Sequence, residues 1–221
     1  MTSAGRCEPS DSGNAAALRR GRLAHARATC SVLALIAALG AIPGAAVAQV
    51  VPDGRTQTTV SGNGSANVNV TTQTISKGAG FNSFSKFNAN PGQNVNLHLP
   101  KGTGAIVNIV NGPRSQINGA VRAMQNGKVG GKLYFANPNG VVVGPSGSFQ
   151  AGSVSVSTPS QGFVDGFFDK NGRPRAGAAG QLFDGTEPLS GAAIEVDGRI
   201  LATDRVRLRA GGDLSISGTV S

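Results

Sequence analysis

From Gln49 onward apolar residues recur at every second position, and this period of two is what most restricts the fold. Val68/Val70, Val95/Leu97/Leu99, Leu133/Phe135, Val154/Val156, Ile194/Val196, Val206/Leu208/Ala210 and Leu214/Ile216 each place apolar side chains on one face of an extended segment, with Asn, Ser, Thr or Arg between them. Short alternating runs broken by Gly, Asn and Pro specify an all-β chain. No 3.6-residue stripe stands out beyond the first 48 residues; Ala120 to Met124 amounts at most to one helical turn.

The last two runs add a repeat. Glu195-Val196-Asp197-Gly198-Arg199-Ile200-Leu201 aligns with Ser215-Ile216-Ser217-Gly218-Thr219-Val220-Ser221 in its apolar and glycine positions, 20 residues apart. One turn of a parallel β-helix has about this length, and glycine at the same offset marks a recurring corner. At ~22 residues per rung and ~4.8 Å between rungs, residues 49–221 predict on the order of seven or eight rungs spanning roughly 35 Å. Val196 is then expected to stack near Ile216, and Ile200 near Val220. The chain stops at Ser221 inside a strand-like run, as expected of the start of a longer solenoid.

Residues 1–48 read as a signal peptide. Arg19, Arg20, Arg22 and Arg27 form a basic region, Val32 to Ile42 an apolar one, and Ala46-Val47-Ala48 a small-residue cleavage site before Gln49. The apolar run is roughly a dozen residues, short of the ~20 needed for a spanning helix. Removing 48 of 221 residues leaves 173, enough for one domain with a substantial core. Taking the leader's five basic and two acidic side chains from 20 and 11 leaves 15 against 9, a net charge of +6. The basic residues are dispersed, Trp is absent and Tyr134 is the sole tyrosine, so the stacking platform of a nucleic-acid binder is missing.

Catalysis finds little footing beyond the leader. His98 is the only imidazole there and thiols are absent, since Cys7 and Cys30 both lie in residues 1–48. His98 sits between Leu97 and Leu99 on the face opposite them, a solvent-facing position. Asp197 and Asp204 are the carboxylates with some prospect of converging, but ordinary surface charge explains them better. No catalytic, cofactor or metal residues are assigned. Arg205, Arg207 and Arg209 alternate with Val206 and Leu208 and so share one outer face, a stripe able to bind sulfated glycan or phosphate and more simply read as a solvated strand face. The stretch Gln161 to Pro188 breaks the alternation with Phe163, Phe167, Phe168 and Phe183. It reads as a long excursion whose phenylalanines pack back on the flank.

Two motifs carry a resemblance. Leu133-Tyr134-Phe135-Ala136-Asn137-Pro138-Asn139-Gly140-Val141 runs strand, turn, strand, with Asn137 able to lock the turn, Pro138 presetting φ and Gly140 taking up the remaining conformation. Upstream lie Phe81-Asn82-Ser83-Phe84-Ser85-Lys86-Phe87-Asn88 and Asn90-Pro91-Gly92; downstream lies Gly152 to Pro159. In this order the segments resemble the N-terminal secretion domain of two-partner-secreted exoproteins, the filamentous haemagglutinin or haemagglutination-activity family. A second Asn-Pro-Asn-Leu motif frequent in that family is absent, which points to a divergent subgroup.

The resemblance implies a right-handed parallel β-helix with an N-terminal cap, formed by Phe81, Phe84 and Phe87, and extra-helical hairpins. It implies a non-catalytic role: export by the general machinery into the periplasm, then recognition by the periplasmic domains of an outer-membrane barrel transporter. Asn137, Pro138, Asn139, Gly140, Asn90 and Pro91 are the expected recognition and turn residues; Ala46, Ala48 and Gln49 mark leader cleavage. Folding outside the cell would then leave the chain secreted or on the outer surface. Lack of cysteine beyond the leader suits this route, because a cross-linked loop formed in the oxidising periplasm does not thread through a narrow pore. Two other readings stay open: an adhesin surface for host glycan or protein, and a β-helix polysaccharide lyase or hydrolase.

Overall fold

Alternation becomes strand wherever the intervening Gly, Asn and Pro residues let the chain turn. The computed structural model describes residues 49–221, so Ala46, Ala48 and the rest of the expected leader lie outside the described residues and Gln49 is the first within them. The strands are β1 (Val50–Pro52), β2 (Thr58–Ser61), β3 (Asn67–Thr72), β4 (Ile75–Ser76), β5 (Ala79–Phe87), β6 (Asn94–His98), β7 (Ala105–Val110), β8 (Ser115–Ile117) and β9 (Ala120–Gln125). They continue with β10 (Lys128–Val129), β11 (Lys132–Ala136), β12 (Val141–Val143), β13 (Ser148–Ser157), β14 (Ile194–Val196), β15 (Arg199–Arg209), β16 (Leu214–Ile216) and β17 (Thr219–Val220). Two short helices, α1 (Gln161–Asp165) and α2 (Ala176–Asp184), interrupt them. The fold is all-β, with a mixed 13-stranded sheet and a second, four-stranded one.

Most pairings are parallel and follow chain order. Val68, Val95, Val121, Phe149, Ile200 and Val220 are successive register partners, as are Phe81, Val107, Tyr134, Ser155 and Arg207. The second sheet pairs Ile117, Val143, Val196 and Ile216 in the same way. Val196 meets Ile216 and Ile200 meets Val220, so the 20-residue period read from the sequence is real at that end. Elsewhere it is longer. The first intervals run from 68 to 95 to 121 to 149, and the interval from Val143 to Val196 contains the whole excursion. Six levels result in place of the expected seven or eight, because earlier turns carry extra residues in hairpins such as β9–β10.

Glycine at the recurring corner has a steric cause. A Cβ on Gly218 would lie 2.0 Å from the Gly198 carbonyl oxygen, and one on Gly198 2.3 Å from that of Gly144. Successive levels stack too closely there for any side chain.

The inward residues form a continuous apolar core in which every alternating run from the sequence takes part except Leu214/Ile216, which remains exposed at the far end. Ile216 is 48% exposed and Val220 38%, while their partners Val196 and Ile200 are fully buried. A chain of rings, Phe84 to Phe87 (5.1 Å), Phe87 to Phe135 (5.0 Å) and Phe135 to Phe149 (5.3 Å), runs through this core. Each fully buried side chain of this kind contributes roughly 1.5–3 kcal/mol before entropy. An amide ladder shares the interior. Thr58 Oγ1 donates to Asn82 Oδ1 (2.8 Å), Asn82 Nδ2 to Asn108 Oδ1 (3.1 Å) and Asn108 Nδ2 to the Tyr134 carbonyl (3.2 Å). Both asparagines are fully buried, and the ladder satisfies groups whose burial would otherwise be costly.

Three sequence expectations need correcting. Ala120 to Met124 is strand, not helix, because Val121 and Ala123 alternate into the core. Helices do occur beyond residue 48, but they are short, and α2 shows only Ala179 and Leu182 as buried positions. Phe81, Phe84 and Phe87 do not form one plug. A bulge that skips Ser85 in the pairing with β1 lets Phe84 and Phe87 both face inward, whereas Phe81 projects from the opposite face against Phe167 (6.2 Å) and Phe183 (6.4 Å). The ladders end at this side in antiparallel β1 and β2, with Val50 packed in the core alongside Phe84 and Phe87.

Candidate functional site

The turn between β11 and β12 is held from three directions. Asn137 Oδ1 accepts from the Asn139 amide (2.9 Å), closing an Asx turn, and the Gly140 amide donates to the Asn137 carbonyl (3.2 Å). Asn137 Nδ2 donates to the Pro113 carbonyl (3.0 Å) and to Ser115 Oγ (2.9 Å) in the preceding level. In the following level Ser190 Oγ donates to the Pro138 carbonyl (2.7 Å) and the Val141 amide to the Ala193 carbonyl (3.2 Å). Gly140 has φ +98°, and a Cβ there would lie 2.8 Å from the Ala193 oxygen, so the position needs glycine on both counts.

The four motif residues therefore divide. Asn137 and Pro138 are buried, Asn137 completely, and act as internal fastening. Asn139 is exposed, with its Nδ2 donating to the Gly112 carbonyl (2.8 Å) across the surface. Arg114 covers the corner: its Nη2 lies 2.7 Å from Glu195 Oε1, yet neither Nε nor Nη2 is aligned to donate a hydrogen bond. The contact is a weak, half-exposed ion pair. Sequence reading missed Ser115, Ser190 and Arg114, since nothing local marks residues that serve a turn in a neighbouring level.

Asn90 and Pro91 are exposed at a different corner. The Gln93 amide donates to the Asn90 carbonyl (3.0 Å), Gly92 has φ +77°, and Gln93 Oε1 accepts from the Asn90 amide (2.9 Å). Pro at the second position and positive φ at the third fit a type II turn. Its stacking partners are Asn118 and Gly119, not the level-to-level contacts of Asn137, so the two Asn-Pro turns are not brought together.

On the flank the excursion docks as the sequence implies. Phe163, Phe167, Phe168 and Phe183 pack with Phe81, Val107, Ile109 and Tyr134 on the outer face of β5, β7 and β11. Polar fastenings complete it. Arg55 Nη1 donates to the Val164 carbonyl near the end of α1 (3.0 Å), its Nε pairs with Asp53 (2.7 Å), and its guanidinium stands over the Phe168 ring at 5.4 Å. The arginine stripe is consequently not a solvated face. Arg207 Nη1 donates to the Phe183 carbonyl (2.9 Å), and Arg209 pairs at 2.6 Å with Glu187, which is 2% exposed; only Arg205 stays exposed and unpaired. Two of the three guanidiniums are drawn in because the excursion folds over β15.

His98 is half-buried with Nε2 3.0 Å from Asn69 Oδ1, an alignment along adjacent strands. Asp197 accepts from Ser217 Oγ and Asp204 from Ser153 Oγ, one in a turn and the other mid-strand, each in its own local contact. Among the described residues no group of three or more His, Cys, Asp or Glu is placed to hold a metal ion. Nor is any helix among them long and apolar enough to cross a membrane.

No curated protein matches the sequence. A family does: residues 48–217 match the TPS secretion domain, well over half of the chain. By this match the chain belongs to the TPS secretion domain family, the N-terminal secretion-targeting domain of two-partner secretion exoproteins.

Proposed function

We propose that the chain is a non-catalytic targeting module that opens a large adhesin-type exoprotein and nucleates its folding outside the cell. The observation that carries the reading is the order of pairing: nearly every parallel strand partners the strands one level before and one level after it. A chain emerging N-terminus first completes each level on one already formed. Each addition buries several inward Val, Ile, Leu or Phe side chains, worth about a few kcal/mol per level after entropy. That gain biases movement outward with no nucleotide consumed at the outer membrane.

In this reading the levels form a right-handed parallel β-helix, the hand that parallel crossovers overwhelmingly take. The antiparallel β1 and β2 cap its N-terminal end with Phe84 and Phe87 beneath them, and β4–β5 and β9–β10 are extra-helical hairpins. Residues 1–48 are the signal peptide, cleaved between Ala48 and Gln49. The chain crosses the periplasm largely unfolded, where an alternating segment adds to a sheet edge of the transporter's periplasmic domains. Asn139, Asn90 and Pro91, whose side chains the folded core does not use, are the recognition residues; Asn137, Pro138 and Gly140 are turn residues of the fold.

Binding separates this reading from an adhesive or polysaccharide-cleaving one. The unfolded chain should bind the purified periplasmic domains of the transporter, and the folded chain much more weakly. Folded chain that agglutinates red cells or depolymerises polysaccharide, with no binding of unfolded chain to those domains, would overturn the assignment.

A further inference from the structure

Where α2 ends over β11, β13 and β15, the excursion leaves a groove of about 330 Å³. That volume lies at the small end of ligand pockets and suits one or two sugar rings. Its aromatic wall is Tyr134 with Phe183, ring centroids 5.0 Å apart and both half-buried, so each ring stays partly accessible. Around the rings stand Lys132, Arg205 and Arg207 against Asp184 and Asp204, leaving one net positive charge.

These groups are largely uncommitted. Lys132, Arg205 and Asp184 are exposed and take part in none of the three ion pairs among the described residues. Asp204 has spent one oxygen on Ser153 Oγ, and Arg207 one nitrogen on the Phe183 carbonyl. Burial raises the Tyr134 hydroxyl above its ordinary range, so it remains a neutral donor at physiological pH.

We propose that this groove binds a saccharide carrying a single carboxylate, a uronic acid unit. The Arg205 and Arg207 guanidiniums offer the paired donors that a carboxylate accepts. Asp184 and Asp204 supply what a bare anion does not need and sugar hydroxyls do, acceptors at the rim. Their charge also disfavours phosphate or multiply sulfated ligands, because each added negative charge meets a carboxylate. The apolar face of the ring lies on Tyr134. This site is independent of transport: it exists only after α2 and β15 have folded together, hence outside the cell.

The test is saturation-transfer NMR on the full folded chain with glucuronic acid at up to ~20 mM, a range that reaches weak millimolar sites. Glucose, acetate and sulfate serve as controls. Glucuronic acid should bind, glucose should bind at least about tenfold more weakly, and acetate at equal concentration should leave glucuronic acid in place. Arg205→Gln and Asp184→Asn change exposed residues outside the ion pairs and keep the fold; the first should weaken glucuronic acid by about tenfold, as expected for one charge-assisted hydrogen bond, and the second, which removes a carboxylate, should let sulfate compete better. Absence of transfer to glucuronic acid, full displacement by acetate or sulfate, unchanged affinity in Arg205→Gln, or sulfate competing no better in Asp184→Asn would overturn the proposal.

Discussion

Replacing Asn137 and Asn139 one at a time should separate fastening from recognition. Asn137→Ala removes three hydrogen bonds from a side chain with no solvent exposure and leaves the buried Ser115 hydroxyl, the Pro113 carbonyl and the Asn139 amide without their partners. Ser115 has no access to water, and such a loss costs roughly 1–3 kcal/mol; the other two groups, nearer solvent, add about 1 kcal/mol between them. A total of about 3 kcal/mol in a domain of this size lowers Tm by roughly 6–12 °C. Asn139→Ala gives up one exposed hydrogen bond to Gly112, worth at most about 1 kcal/mol and under ~4 °C. Thermal unfolding by circular dichroism reads both. Export through the cognate transporter, measured in parallel, should fall for Asn139→Ala despite its near-normal Tm. An Asn137→Ala Tm within about 2 °C of the parent would refute the fastening argument, and normal export of Asn139→Ala would refute a recognition role for the exposed side of the turn.

Tyr134 is the only tyrosine and Trp is absent, so phenolate absorbance follows one site. Burial raises its pKa first of all, Arg207 lowers it, Asp184 raises it and Arg205 lowers it. A raised folded pKa means stability that is complete below the unfolded value of about 10 and lost as pH climbs through the folded one. The folded chain should therefore titrate above the urea-unfolded chain, and Asp184→Asn should bring the midpoint down; a folded midpoint at or below the unfolded one would contradict the geometry. In the core, Val196→Asp places an unpaired carboxylate at a fully buried position and should cost several kcal/mol, whereas Ile216→Asp, at its half-exposed register partner, should cost little in urea unfolding. Equal losses at the two positions would argue against the stacking register.

Much of the core was legible because period two is a local signal: Val68, Val95, Leu133, Val154 and Ile194 declare their inward face from their neighbours alone. The repeat at Gly198 and Gly218 was legible for the same reason. The buried Asn82–Asn108 ladder was not. Asn108 sits inside the unbroken run Ala105–Val110, and only the partner 26 residues away makes an inward amide tolerable. Phe81 and Phe84 stand three residues apart in one strand, so alternation alone sets them on opposite faces; what the sequence does not show is the bulge at Ser85 that turns Phe87 to the side of Phe84, because a bulge is decided by pairing rather than by sequence spacing. Asn137 was found as a turn residue, but its burial depends on Pro113, Ser115 and Ser190 in adjacent levels. Arg207 and Arg209 alternated as an outer face should; their engagement with Phe183 and Glu187 depended on where a helical excursion came down.

The central claim, passage as an unfolded chain followed by level-by-level folding, is tested most directly by a cysteine pair at Val196 and Ile216. These positions are register partners 20 residues apart, and the chain beyond residue 48 has no cysteine of its own. With the cognate transporter present, the account predicts that the reduced double variant reaches the medium like the parent, that oxidation in the periplasm before transit retains it there, and that neither form is exported without the transporter. Efficient export of chain shown to be cross-linked before transit would contradict the account.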